Sequence, residues 1–589
     1  MRTRYAALAA VAALLGTIAP AHAATDADGY TVTTLHIETM VGPDDNTRCD
    51  VAADLYLPAA GTPAPAILTT HGFAGAKDDS SQRAIGRAFV AQGYIVLSYS
   101  GLGFGGSGCK ITLDDPDWDG KAARQLVDFL AGTRSAIDGT RLDQVRLDSS
   151  GDPRVGMIGG SYGGQVQFAV AGIDPRIDAL IPIITWHDLA YSLAPNNTPG
   201  TPGVHKKEWT SLFFARGVMD GVTGAQYDPN RLVGCPNFTD EACAAKAQLD
   251  VLGYPTPETV ALARRASVAS YITRIAAPTL LVQGQADTLF NLQEAAATYR
   301  GLAERGVPVA MIWQSWGHSR GTPAPGELDM SPDGLHTSYL GRRFLAWFDH
   351  HLKDLPVDTG PGFAYFRDWV SYSGDAQPAY AAEDAYPVGR AQPLYLSGDE
   401  DLVASNAAVR AGSQSYVNAP GGVPTSYSET SAVQGSLVPD PLAVPFDAPG
   451  TFAAWTSPPL ARDLITVGVP TLDIRLDSPA AILTQGTGPA GQLVLFAKLY
   501  DVAPDGTTTL WHRLISPVRV TDVTRSVHIE LPGITQRWPA GHRIRLVLAA
   551  SDAAYAGNQS VLPVTIRTSP VNPAILRLPI VGAPARFLA

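Results

Sequence analysis

The sequence predicts a mostly parallel α/β sheet with helices on both faces, followed by an all-β domain. Apolar, β-branched runs alternate with amphipathic helical stretches through the first 360 residues. Short strand-like runs separated by turn residues fill the remainder. The chain has 589 residues, too many for one core, since single cores stop growing near roughly 250–300 residues. A composition of 45% hydrophobic and 17% charged residues excludes a long disordered chain or a coiled coil. The net charge of −12 leaves no basic field to hold nucleic acid or an anionic membrane.

Residues 1–23 read as a secretory signal peptide. Arg2 and Arg4 precede an apolar run over 6–18, and Ala21-His22-Ala23 supplies a small-residue cleavage site. The apolar core is too short to span about 30 Å of hydrocarbon. Cleavage after Ala23 removes Arg2 and Arg4 and takes the charge from −12 to −14. No later segment runs long enough without charge to cross a membrane, so the mature chain is expected outside the cell. Export makes the four cysteines candidates for pairing. Cys235 and Cys243 share one loop and are expected to bridge locally, which leaves Cys49 with Cys109.

Strands are predicted over 31–38, 51–57, 66–70, 94–99, 154–158, 179–184, 279–283 and 309–313. Helices are predicted over 81–92, 120–131, 161–172, 293–305 and 336–353. The first two strands have no helix between them and read as an antiparallel hairpin at the sheet edge. If the second strand lies antiparallel beside the fourth, Cys49 and Cys109 share one end of the sheet. Residues 186–270 break the alternation and read as a cap over the carboxyl edge, where ligands bind in open α/β sheets. Past residue 361, strands at 393–396, 471–476, 493–502, 510–517, 526–531 and 542–549 suggest a jelly-roll sandwich. The expected organisation is therefore a catalytic domain over 24–360 and a β domain over 361–589.

The chemistry centres on Gly159-Gly160-Ser161-Tyr162-Gly163-Gly164, which follows an apolar strand and opens a helix. That context is a nucleophile elbow and specifies the α/β-hydrolase fold. A serine needs a base held by a carboxylate, in the chain order Ser, acid, His. Asp287 follows the strand at 279–283, and His318 follows the strand at 309–313 in Trp316-Gly317-His318. Asp188, after the sixth strand, is the second candidate for the acid. The backbone N–H groups of Tyr162 and of Phe73, in His71-Gly72-Phe73-Ala74-Gly75, are the expected oxyanion donors. His71 reads as a loop-packing residue. Gly103-Phe104-Gly105-Gly106-Ser107-Gly108 fits a dinucleotide fingerprint, but no helix follows to receive a pyrophosphate. The acidic run 114–119 reads as a solvated loop leading into a helix rather than a calcium site. No cofactor or metal is expected.

The elbow, Asp287, Trp316-Gly317-His318 and the C-terminal β domain together resemble the Xaa-Pro dipeptidyl-peptidase-like hydrolases. That group includes the cocaine-esterase/NonD-type esterases and the α-amino acid ester hydrolases. Trp455-Thr456-Ser457-Pro458-Pro459-Leu460 and Leu495-Phe496-Ala497-Lys498-Leu499-Tyr500-Asp501 are similar to that family's C-terminal signature. The resemblance implies hydrolysis of acyl esters, amides, or peptide bonds after a penultimate proline. In its esterase branch a tyrosine hydroxyl joins the oxyanion hole; the similar position here is Phe73, which offers only its backbone N–H. In its peptidase and amino-ester branches carboxylates hold the substrate's α-ammonium, and Asp188 and Glu208 are the candidates here. Trp186, Trp209 and Phe290 are expected to line an acyl pocket.

The sequence thus points to a secreted serine hydrolase acting on a small ester or short peptide. A dipeptidyl-peptidase is the alternative within that class, and a non-catalytic polymer-binding protein the alternative outside it.

Overall fold

The computed structural model describes residues 24–25, 29–59, 61–428, 445–582 and 588. The leader expected over 1–23 lies outside the described residues. An 11-stranded sheet organises the first domain. Its order is Ala24–Thr25, Tyr30–Val41, Thr47–Pro58, Ile95–Tyr99, Ala66–Thr70, Val155–Gly160, Ile177–Ile183, Thr279–Gly284, Val309–Gln314, Phe363–Phe366 and Tyr380–Glu383. Tyr30–Val41 and Thr47–Pro58 form the antiparallel edge hairpin. From Ile95–Tyr99 to Phe363–Phe366 every pairing is parallel.

Helices cover both faces, so the central strands are buried throughout and read as unbroken apolar runs. Ser80–Ala91 and Tyr339–Lys353 bury Phe89, Phe344 and Phe348 against one face. Lys121–Leu130, Tyr162–Ala171 and Leu292–Ala303 bury Leu126, Phe168 and Leu302 against the other.

Two strands of this sheet lie past residue 360, where the β domain was expected to begin. Phe363–Phe366 pairs parallel with Val309–Gln314, and Tyr380–Glu383 closes that edge antiparallel. The catalytic sheet therefore runs on to Glu383. All four residues of Phe363–Phe366 are buried, and so short an apolar run shows no alternation to separate it from the β pattern that follows.

Between Ile177–Ile183 and Thr279–Gly284 the helices Leu189–Leu193, Lys207–Gly224, Asp240–Leu252 and Pro257–Arg265 build the cap. The β domain contains sheets of seven and five strands around a core that includes Leu396, Trp455, Leu495, Trp538, Leu546 and Leu576. It braces the cap: Asn197 N–H donates to Pro517 O (3.2 Å) and Glu530 N–H to Asn197 O (2.8 Å).

Two disulfides join Cys49 to Cys109 and Cys235 to Cys243. Thr47–Pro58 and Ile95–Tyr99 pair antiparallel, Ala53 opposite Tyr99, and the first bridge joins the two segments beyond that end of the pairing. Among the described residues no helix is long and apolar enough to cross a membrane.

Candidate active site

Ser161 sits between the strand Val155–Gly160 and the helix Tyr162–Ala171 with φ 55° and ψ −117°. An L residue holds such a conformation only where its surroundings enforce it. Two glycines make the turn sterically feasible. A Cβ at Gly159 would lie 2.7 Å from the Gly163 carbonyl oxygen, and one at Gly163 would overlap the Thr70 carbonyl oxygen. Ser161 N–H donates to Ile183 O (2.8 Å), while Ser161 O accepts from Gly164 and Gln165 N–H as the helix begins.

Ser161 Oγ lies 2.8 Å from His318 Nε2, and His318 Nδ1 lies 2.7 Å from Asp287 Oδ2. Asp287 is fully buried. Its Oδ1 accepts the N–H groups of Leu289 (3.0 Å) and Phe290 (2.8 Å), and its Oδ2 accepts that of His318 (3.2 Å). Gly317 permits the close approach of the two loops, since a Cβ there would stand 2.7 Å from Ala286 O. The imidazole meets Phe290 edge-on at 5.2 Å and Trp209 at 6.1 Å.

Tyr162 is the first residue of its helix, so its N–H belongs to the group that the helix leaves without an intrahelical acceptor. Gly72 passes beside Ser161; a Cβ on it would lie 3.7 Å from Ser161 Cβ. His71 is buried, its Nδ1 bonds to Gly72 O at 2.7 Å, and its Nε2 accepts Gly101 N–H at 3.0 Å. One nitrogen donates and the other accepts, which is the pattern of a neutral ring, and burial holds its pKa below the usual value. Gly72 O also accepts Gly75 N–H at 3.0 Å, so two bonds fix the plane of the trans 72–73 peptide that carries the Phe73 N–H.

The pocket beside Ser161 is walled by Phe73, Trp186, Leu189, Phe213, Phe238, Leu262 and Phe290, with Lys246 its one charged lining residue. Of the three aromatics expected there, Trp186 and Phe290 line it. Trp209 instead packs against His318, pinned by its Nε1–H to Thr288 Oγ1 (3.2 Å).

Neither carboxylate expected to hold an α-ammonium reaches this pocket. Asp188 caps the helix Leu189–Leu193 and pairs with Arg264 at 3.7 Å, and it faces a separate cleft shared with the β domain. Glu208 borders another surface pocket with His205 and Lys207. Both stand in the first turn or cap of a helix, where the dipole already favours an acid. Asp188 is also not the acid that meets His318.

The acidic run, expected to be solvated, is the largest difference from the sequence reading. Asp114, Asp115 and Asp119 are buried. Asp114 N–H donates to Tyr162 Oη (3.1 Å), and Tyr162 Oη lies 3.5 Å from Asp119 Oδ2. Burial pushes Asp119 up to about 7. Burial, with the Asp119 charge beside it, raises Asp114 well above the carboxylate range.

Residues 45–320 match the family model of the X-Pro dipeptidyl-peptidase (S15 family), and residues 370–561 that of the X-Pro dipeptidyl-peptidase C-terminal non-catalytic domain. Two curated relatives, both named Hydrolyase poxO from Penicillium oxalicum, are 30% identical over 191 residues, which is 31% of this chain. The match spans 42% of their length, so the chain covers less than half of the curated relatives it matches. Among solved structures, an α-amino acid ester hydrolase superposes with a TM-score of 0.64 at 16% identity, covering 97% of this chain and 100% of its own. An aminopeptidase from a marine-sediment Thaumarchaeota archaeon gives 0.63 at 16% identity, covering 97% and 99%. A CocE/NonD family hydrolase from Staphylococcus aureus gives 0.60 at 13% identity, covering 94% of each chain. At these identities the likeness is one of fold.

Proposed function

This chain belongs to the X-Pro dipeptidyl-peptidase (S15) family of hydrolases, and from that premise we propose that it is a secreted serine esterase for substrates with bulky apolar acyl groups. Ser161 is the nucleophile, His318 the base and Asp287 the acid that orients it. His318 Nε2 takes the Ser161 proton as Oγ attacks the ester carbonyl. The N–H groups of Tyr162 and Phe73 stabilise the oxyanion. The protonated imidazole then delivers its proton to the departing alkoxide. Water, deprotonated by His318, resolves the acyl-enzyme in the reverse sense.

One observation favours esters over Xaa-Pro peptides: among the described residues no carboxylate lines the pocket beside Ser161. A dipeptide or amino-ester substrate would bring a free ammonium into an apolar cavity, and an unpaired buried charge is costly. An acyl chain or ring gains about 25 cal/mol for each Å² it buries there. Two disulfides and the leader-like segment ending at Ala23 support export.

The test compares p-nitrophenyl octanoate with Ala-Pro-p-nitroanilide. The proposal expects kcat/KM at least 100-fold higher for the ester. A higher value for the anilide would make the chain a dipeptidyl-peptidase instead.

A further inference from the structure

We infer that Asp119 is a positioning residue for the reaction, acting through the Tyr162 hydroxyl on the peptide that carries an oxyanion donor. The inference rests on the serine-esterase reading and adds a residue that the proposed mechanism does not use.

Tyr162 is a lever with two ends. Its backbone end is the peptide following Ser161. Its ring is gripped edge-on by Phe73 at 5.8 Å and Phe104 at 5.4 Å. Its hydroxyl reaches into the buried turn before the helix Lys121–Leu130, where it accepts from Asp114 N–H and faces Asp119 Oδ2.

That turn is strained, and Asp119 holds it. Leu113 and Asp114 both lie in the left-handed region, with φ of 60° and 61°. Two consecutive non-glycine residues there are costly and persist only when the surroundings enforce them. Asp119 Oδ2 accepts Asp114 N–H at 3.0 Å and also the Thr112 hydroxyl. The turn is locked against the nucleophile's helix as well, because a Cβ at Gly120 would lie 3.1 Å from Ala169 O.

One carboxylate oxygen therefore ties together Thr112, the strained Asp114 peptide and the Tyr162 hydroxyl. Leu113, inside the same turn, lines the acyl pocket. Arg265 pairs with Asp115 at 3.3 Å, outside this knot. A bland structural acid would stabilise the turn alone. The Tyr162 hydroxyl gives this one a direct route to the reacting centre.

The route has a kinetic signature. Removing a whole oxyanion donor costs about 10²–10³ in kcat, so loosening one should cost roughly tenfold. Most of the apolar walls lie outside this turn, Leu113 excepted, so substrate affinity should move little. We expect Asp119→Leu and Tyr162→Phe each to lower kcat for p-nitrophenyl octanoate about tenfold with KM within twofold. Asp119→Asn keeps an acceptor oxygen and should recover to within about threefold of wild type. Because both residues act along one path, Asp119→Leu/Tyr162→Phe should be no slower than Asp119→Leu alone. If Asp119→Leu fails to fold, Tyr162→Phe with Asp119→Asn/Tyr162→Phe closes the same cycle. Wild-type kcat in both single variants, or effects that multiply in the double variant, would overturn the inference. Full turnover by Ser161→Ala would overturn it for a separate reason, by removing the serine chemistry beneath it.

Discussion

Phe290 touches both Asp287 and His318: its N–H donates to Asp287 at 2.8 Å and its ring meets the His318 imidazole edge-on at 5.2 Å. The same ring lines the pocket beside Ser161 next to Trp186, 5.1 Å away. In the proposed mechanism one residue thus joins substrate binding to base orientation. Phe290→Ala should raise KM for p-nitrophenyl octanoate and lower kcat for p-nitrophenyl acetate by about 5–20-fold, because the imidazole loses a wall. Phe290→Leu should restore most of the octanoate KM and little of the kcat. Steady-state kinetics with the two esters separates these effects.

Asp287 accepts three backbone N–H groups in addition to facing His318. Its carboxylate is thereby fixed as an acceptor for the imidazole Nδ1–H. Asp287→Asn can present an amide N–H instead and favours the wrong tautomer. We expect kcat to fall roughly 10³–10⁴-fold with little change in melting temperature. A fall below tenfold would remove Asp287 from that role.

The placement of the Ser161 turn, the Asp287 loop and the His318 loop is legible in the sequence because each sits at the end of an apolar strand. Spacing and chain order are local properties, and they survive without knowledge of packing. The acidic run is not legible in this way. Adjacent aspartates are solvated by default, and Asp119 is buried where Thr112 and Asp114 bond to it within the turn and Tyr162, 43 residues later, extends its hydroxyl to the same oxygen. Trp209 illustrates the same limit. Its apolar mass foretells burial, but the Thr288 hydroxyl that turns it from pocket wall to imidazole neighbour lies 79 residues away. Phe363–Phe366 joins the catalytic sheet by pairing with Val309–Gln314, a choice of partner that four apolar residues do not encode.

The Cys235–Cys243 bridge closes a short loop in the cap. Between the two cysteines, Asn237 donates to the carbonyls of Gly103 (3.0 Å) and Gly217 (2.8 Å), and Phe238 lines the pocket. Cross-linking a loop of this size constrains the unfolded chain by about 2.5 kcal/mol. Cys235→Ser/Cys243→Ser should lower the melting temperature by a few degrees. It should also raise KM for p-nitrophenyl octanoate several-fold more than KM for the acetate. Equal effects on both esters would mean that the loop does not shape the acyl pocket.

Glu294 is buried beneath the cap, where it accepts from His187 N–H (2.7 Å), Asp188 N–H (3.2 Å) and the Ser192 hydroxyl (2.5 Å). Desolvation outweighs these bonds and pushes its pKa up from 4.5 to about 7. Between those values the native state keeps a proton that the unfolded chain has released. The contribution of this group to stability is therefore full below about pH 4.5 and is lost as pH rises towards 7. Glu294→Gln removes the titration. The melting temperature of wild type minus that of the variant should decrease from pH 4.5 to 7 and level off above it. An increase over that window would contradict the assignment.

The most direct test of the account is covalent labelling of the nucleophile. Wild-type protein incubated with a fluorophosphonate probe should gain the mass of one phosphonyl group, placed on the tryptic peptide containing Ser161. The Ser161→Ala variant should stay unlabelled and should hydrolyse p-nitrophenyl octanoate at least about 10⁴-fold more slowly. Equal labelling of both proteins, or turnover by Ser161→Ala at the wild-type rate, would contradict it.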